Sequence, residues 1–344
     1  MISFFKKHLL VCLSLLLINS ITAQLNNLAH FSYLESEEEF ATMLDPDDTL
    51  FEKTYIVASR EIEPLYMLNY EVSGHDFETF CKKTKRKMPS QPKGHNPLLP
   101  VVNVNFNDAE AYCEWLSSYY QVTFRLPSER EWEYAASIGF SKDKKDKNGI
   151  NTNVVYMYNA KNEKPSCITC TQPNSYGLYH MRGNVWEITA SSDSYVDENT
   201  MTLMGGSFFE DADHVQANSK VNHNKLLKRG DVGFRIVIPK RDYELLRFTI
   251  TLQALFDPIN DKKTPITITA KGIYKDQLFI AWDDGFENFY YDEKSQTAGF
   301  CCWAQDINKL GEESNPVIEF SFKKEDFKQI QKIAAYFDTF PVEY

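Results

Sequence analysis

Two short stretches carry side chains whose types and spacing could do chemistry. In Gly183-Asn-Val-Trp-Glu187 the carboxylate stands four residues after Gly183 and two after Val185. A tight turn there could aim two backbone carbonyls and one carboxylate at a single point, the all-oxygen arrangement that a hard cation such as calcium takes. A plainer use exists: Asn184 and Glu187 can cap neighbouring backbone N–H groups while Trp186 fills the core. The second stretch, Cys167-Ile-Thr-Cys170, has a spacing that suits redox chemistry, half of a zinc site or a small disulfide loop. Tetrahedral zinc needs two more ligands, no second pair of this spacing follows, and no thioredoxin-like strand and helix surround the first. A local disulfide or two free thiols remain.

The oxygen-rich turn closes a longer run, Asn174-Ser-Tyr-Gly-Leu-Tyr-His-Met-Arg-Gly-Asn-Val-Trp-Glu187, punctuated by turn makers and reading as a knotted loop. This run resembles the Gly-Leu-Tyr-Asp-Met-x-Gly-Asn-Val-Trp-Glu signature of the formylglycine-generating enzyme family, the sulfatase-modifying factors. Further pieces follow in that family's order: Tyr70-Glu-Val-Ser73, the run from Pro100 to Trp115, Arg125-Leu-Pro-Ser-Glu-Arg-Glu-Trp-Glu-Tyr-Ala-Ala136, Gly205-Gly-Ser207 and Gly233-Phe-Arg235. The resemblance covers about Glu63 to Pro239 and implies an α+β, C-type-lectin-like domain with much irregular loop.

The resemblance also carries expectations about chemistry. Active members oxidise a cysteine of a sulfatase peptide to formylglycine, using molecular oxygen and copper(I) held by two thiolates that lie between the Gly-Gly-Ser and Gly-Phe-Arg motifs. Here that window, Phe208 to Val232, contains no cysteine; His214, His223 and the amides around Asn218 stand in it instead. Copper(I) is soft and needs sulfur, so the copper centre is expected to be lost. For calcium, the family's positions match Gly183, Val185 and Glu187, with His180 where an Asp or Asn is usual, and imidazole is a poor ligand for a hard cation. A second calcium site of the family needs an Asp-Gly-Phe-like loop that Ile168 to Gln172 lacks, and only Asn159 could match its asparagine. The resemblance therefore points to a non-catalytic binding or assembly module with protein partners in the cell envelope, as some members are in gliding and secretion machinery. The alternative is a formylglycine-generating oxidase with unusual metal ligands.

Three helices must position these residues. Ser73 and Asp76 have capping-box spacing, and Phe77, Phe80, Cys81 and Thr84 follow at helical intervals. A second helix is expected after Asn107, with Glu110 three residues on and Tyr112, Trp115, Leu116 and Tyr119 as its apolar stripe. A third starts at Ser128, boxed with Glu131, turns Trp132, Ala135 and Ala136 inward, and stops at Gly139; Arg125 before it reads as structural. Cys81 and Cys113 read as buried free thiols on apolar faces. Val154 to Tyr158 is read as a strand, and Val232 to Ile238 as one buried closing strand. Lys82-Lys-Thr-Lys-Arg-Lys87 reads as cations opposing a helix macrodipole, and Arg229-Gly-Asp231 spells an adhesion tripeptide short enough to recur by chance.

Residues 241 to 344 resemble no known family. Phe248 to Gln253 and Pro265 to Thr269 alternate with period two, Leu278 to Trp282 and Phe286 to Tyr291 flank an Asp-Asp-Gly turn like a hairpin, and Phe327 to Phe337 marks a final helix. A small α+β domain is expected there, with vicinal Cys301-Cys302 as buried packing.

The chain has 344 residues, 43% of them hydrophobic, enough to bury the cores of two domains. Lys6-Lys7, the apolar run Leu9 to Ile18 and the exit at Thr22-Ala23 have the layout of a cleavable secretory signal, which predicts export to periplasm, envelope or medium. The expected divisions are 1–23 signal, 24–62 lead, 63–239 family-like domain and 240–344 C-terminal domain. No later stretch could span a bilayer. A net charge of -11 sets the averaged surface against nucleic acid.

Overall fold

The computed structural model describes residues 28–35, 62–92, 96–137, 154–160, 164–190 and 199–256, together with seven strands between 266 and 323. Contacts divide the chain into two units, one made of Ala29–Tyr119 with Thr123–Tyr243, the other of Met1–Leu28, Tyr120–Val122 and Glu244–Tyr344.

In the first unit β1 (Phe31–Leu34), β2 (Leu65–Leu68) and, much later in the chain, Val237–Pro239 form an antiparallel sheet with β2 central. The lead thus contributes a strand to the sheet that also holds the end of the family-like segment. Helix α1 (Gly74–Thr84) starts where expected: the Asp76 N–H donates to Ser73 Oγ at 3.1 Å and the Ser73 hydroxyl donates to the Asp76 carboxylate at 2.6 Å. Helix α2 (Phe106–Tyr120) begins earlier than expected, because Asn105, not Asn107, is the cap. The Asp108 N–H donates to Asn105 Oδ1 at 3.0 Å while the Asn105 N–H donates to Asp108 Oδ2 at 3.2 Å, a reciprocal box built from Asn and Asp. That start turns Phe106, Ala109, Tyr112 and Cys113 inward and leaves Tyr119, expected on the buried stripe, 63% exposed. Phe77 and Phe80 of α1 meet Tyr112 of α2 and Phe234 in one aromatic cluster, at centroid separations of 5.2 to 6.0 Å. Helix α3 (Glu129–Ser137) is capped by Ser128 and Glu131, and its Trp132, Ala135 and Ala136 have no solvent exposure.

A second sheet of four strands surrounds the signature: β3 (Trp186–Thr189), β4 (Thr200–Met204), β5 (Lys220–Asn224) and β6 (Val232–Gly233), in the order β5-β4-β3-β6. Only the β3–β6 pairing is parallel. Val232 to Ile238 is therefore not one strand. It is buried throughout, but after β6 the chain crosses through Phe234 to Ile236 and joins the other sheet as β7 (Val237–Pro239). Val154 to Tyr158 is likewise no strand; Val155 makes a single parallel bridge to Gly183 before a turn at Met157.

In the second unit the expected strand Phe248 to Gln253 is helical, part of α4 (Lys240–Phe256), which runs on from the first unit. Its buried Leu246, Thr249 and Ile250 follow helical spacing, and the Thr249 hydroxyl donates to the Leu245 carbonyl at 2.8 Å, so the β-branched residues that suggested a strand are accommodated in the helix. Strands β8 (Ile266–Thr269), β9 (Gly272–Lys275) and β10 (Leu278–Ala281) form a meander, extended by β13 (Gln305–Asp306). Strands β11 (Phe289–Asp292), β12 (Thr297–Trp303) and β14 (Val317–Lys323) form a separate antiparallel sheet. The expected hairpin across Asp283-Asp-Gly285 is absent among these pairings: β10 pairs with β9 and β13, β11 with β12. Cys301 and Cys302 lie within β12, and Phe327 to Phe337 falls outside the described residues. Among the described residues no helix is long and apolar enough to cross a membrane.

Candidate functional site

The signature loop contains four residues at positive φ, Gly177, His180, Gly183 and Asn184. Gly183 sits at φ +69°, and a Cβ there would run into the Val155 carbonyl oxygen, so the bridge to Val155 requires glycine. Asn184 follows at φ +61° with no exposure. Its Oδ1 accepts from the Ser166 N–H at 2.7 Å and its Nδ2 donates to Glu71 Oε1 at 2.9 Å. This is the capping use expected of Asn184, spent on a backbone group far along the chain.

Glu187 is used differently from either expectation. It is buried on β3, between β4 and β6, and Arg235 donates to it twice, Nε to Oε2 and Nη2 to Oε1, both at 2.6 Å. The Trp132 indole N–H adds a third bond to Oε2 at 2.7 Å. Arg235 is itself fully buried and also donates to the carbonyls of Leu68 and Tyr179 at 3.3 and 3.0 Å. Burial lowers the Arg235 pKa, but the Glu187 carboxylate raises it further, so the guanidinium stays charged. Arg235 thus gives the Glu187 carboxylate a fixed positive charge within the chain. Gly183, Val185 and Glu187 therefore do not fit a calcium ion here: the one carboxylate of the set has both oxygens bound to a fixed cation.

Glu71 lies against the same group. It is fully buried, its Oε1 accepts from Asn184, and its Oε2 has no partner. Burial pushes its pKa up to about 7, with Arg235 and the Asn184 hydrogen bond opposing. His180, at φ +53°, is buried and its pKa is pushed down to about 4 by burial, so near neutral pH the imidazole is uncharged and donates from Nε2 to the Cys167 carbonyl at 2.9 Å. Cys167 and Cys170 are joined by a disulfide, Cα–Cα 5.2 Å, so His180 ties that small ring to the signature. Asn159 is also spent: its Oδ1 accepts from the Tyr156 N–H and its Nδ2 donates to the Val154 carbonyl, closing a turn. Cys81 and Cys113 are buried free thiols, and burial pushes both pKa values up, away from thiolate.

Several polar groups of the window from Phe208 to Val232 are bonded to one another or to residues just outside it. The Trp186 indole N–H donates to Glu210 Oε1 at 3.0 Å, Arg229 lies 3.8 Å from the same carboxylate, and Arg229 also donates twice to Asp231 at 2.9 and 2.7 Å. Ser207 of the Gly-Gly-Ser motif donates to Asp231 Oδ2 at 2.8 Å. Arg229-Gly-Asp231 is thus bonded to itself. His214 sits in a 3-10 turn (Ala212–His214), where a hydrogen bond to Asp211 at 2.7 Å raises its pKa, and His223 lies on β5. Among the described residues no three His, Cys, Asp or Glu side chains gather as a metal site.

The residues missed at the sequence level are Glu71, Trp132 and Arg235 as partners of the signature. The available signal was a charge inside an apolar run, in Glu71-Val72 and Phe234-Arg235-Ile236, which implies a buried partner.

An α+β domain built of two small sheets, three capped helices and long irregular segments, centred on a buried Glu–Arg pair in Gly-Asn-Val-Trp-Glu, defines the class. Residues 40–240, more than half of the chain, match the model of the sulfatase-modifying factor enzyme 1-like domain, and the chain belongs to that family. The inactive C-alpha-formylglycine-generating enzyme 2 of Bos taurus is 36% identical over 153 residues, covering 40% of this chain and 49% of that one. The formylglycine-generating enzyme of Mus musculus is 32% identical over 110 residues, covering 28% of each. The match to the inactive enzyme thus spans about half of that relative's length. Among solved structures, PvdO from Pseudomonas aeruginosa is similar with a TM-score of 0.45 and 22% identity, covering 51% of this chain and 80% of that one.

Proposed function

We propose that this chain is an exported, non-catalytic member of the sulfatase-modifying factor family that works as a binding or assembly module in the cell envelope, of the kind used in gliding or secretion machinery. The observation that carries this is the window between Gly-Gly-Ser and Gly-Phe-Arg. It has no sulfur, and several of its polar groups are engaged with one another or with residues just outside it: Glu210 with Trp186 and Arg229, Asp231 with Arg229 and Ser207, His214 with Asp211. Copper(I) seeks soft donors, and neither an imidazole nor a carboxylate is as soft as the thiolate pair it replaces. A relative named as inactive at 36% identity supports the same reading. The leader-like start supports export, and an extracytoplasmic setting suits the Cys167–Cys170 disulfide.

The test is to incubate the purified mature chain with copper(I), oxygen and a Cys-x-Pro-x-Arg peptide and to read peptide aldehyde by mass spectrometry. No aldehyde above the metal-only control is expected. Turnover would overturn the reading in favour of an oxidase with unusual ligands.

A further inference from the structure

The basic run Lys82 to Lys87 does more than oppose a helix dipole. Lys82 remains in the last turn of α1, paired with Glu78 at 2.8 Å. The chain leaves the helix at Lys85, which adopts φ 57°, and the N–H groups of Lys85 and Arg86 both turn back to the Cys81 carbonyl. This cap sends Arg86 and Lys87 away from the helix axis and onto the wall of a cavity of about 1060 Å³.

The cavity has an apolar floor and a cationic rim. Phe80, Cys81, Met88 and Pro89 line the apolar part, Arg86 and Lys87 supply the cations left unpaired among the described residues, and Lys228 joins the lining already paired at 2.6 Å with Asp108, itself a lining residue. The Arg86 guanidinium lies 5.5 Å from the Phe80 ring centroid, within cation–π range, and Arg86 is exposed. Among the described residues no carboxylate stands within ion-pair distance of Arg86 or Lys87. The volume is at or just above the upper end of small-molecule sites, which run to roughly 1,000 Å³, and suits several residues of an extended chain better than one compact ligand. The two unpaired cations beside apolar surface select the opposite pattern, negative charge flanking an apolar group.

On the reading of this chain as a binding module, we propose that this cavity docks an acidic segment of a protein partner, with an aromatic or branched side chain seated against Met88 and Pro89 and carboxylates on Arg86 and Lys87.

The probe is a fluorescein-labelled twelve-residue peptide of Glu, Phe and Leu, titrated into the full mature chain and read by anisotropy. One control replaces Glu by Lys, another replaces Phe and Leu by Ala, and a third offers phosphatidylglycerol vesicles. Two charge-reversed variants have the same net charge: Arg86→Glu with Lys87→Glu on the cavity, and Lys83→Glu with Lys85→Glu beside it. Saturable binding of the Glu, Phe, Leu peptide is expected, weakened tenfold or more by the first variant and less than threefold by the second. No saturable binding, equal loss in both variants, equal binding of the Ala peptide, or capture of vesicles in place of the peptide would each overturn the site. Circular dichroism confirms that both variants fold. Failure here without aldehyde formation in the copper test removes only this site, whereas aldehyde formation removes the module reading itself.

Discussion

A carboxylate with no solvent exposure needs its charge met within a few ångströms, and the two 2.6 Å bonds from Arg235 do this for Glu187. Removing one partner strands the other charge in the core, which costs about 3–5 kcal/mol. Glu187→Gln should therefore lower the unfolding free energy read from urea titration by that order, and the Gln variant combined with Arg235→Met should be less destabilised than the sum of the two single changes. Glu71 makes a pH-dependent prediction. Its folded pKa, about 7, lies above the ordinary 4.5, so its contribution is fully present below pH 4.5 and is lost as pH rises through 7. Glu71→Gln keeps a carbonyl oxygen for Asn184 but cannot ionise. The variant should match the parent near pH 4 and exceed it by up to ~3 kcal/mol at pH 8 in chemical denaturation. His180 works in the other direction: with its pKa pushed down to about 4 from 6.5, it removes stability as pH falls through that range. Comparing variant with parent at each pH cancels the histidine term and isolates Glu71.

At the scale of elements, caps and rings make the local predictions. Asn105→Ala removes the Oδ1 that accepts from Asp108 and should cost about 1 kcal/mol by thermal unfolding, whereas Asn107→Ala, at the expected but wrong cap, should cost little. Reducing the Cys167–Cys170 disulfide frees a loop of so few residues that the loss should be about 2 kcal/mol, read as a lower Tm in dithiothreitol. The same elements show what the sequence made legible. Ser73 with Asp76 and Ser128 with Glu131 announced two helix starts, because capping boxes are local and depend on neighbours three residues apart. Asn105 and Asp108 form such a box too, but an Asn-Asp pair looks like any polar turn, and the alternative at Asn107 competed with it. Phe248 to Gln253 was misread because β-branched alternation reports side-chain shape, while the helix depends on which face is buried. The signature's position was readable, but the partner of Glu187 was not, since Arg235 arrives from 48 residues away through a chain crossing between two sheets.

For the whole molecule, the Glu187 carboxylate has its counter-ion within the chain, which makes a prediction about ions from solution. Incubation with a chelator such as EDTA should leave the Tm of the mature protein unchanged within one degree or so, and elemental analysis of the untreated protein should find neither calcium nor copper near one per chain. A drop of several degrees, reversed by added calcium, would show that an ion contributes beyond the Glu187–Arg235 pair. The long-range bonds that join segments distant in sequence, Thr202 to Glu129 and Thr123 to Asp242 among them, place much of the first unit's order in contacts that form only when the chain has come together.

Arg229-Gly-Asp231 illustrates what that closure does to a short motif. The Asp231 carboxylate answers Arg229 and Ser207, its carbonyl accepts from Trp186, and the Arg229 carbonyl accepts from Asn103. A receptor that recognises this tripeptide as a free, flexible loop would first have to unzip β6 from β3, so cells should adhere to a heat-denatured coating of this protein before they adhere to the native one.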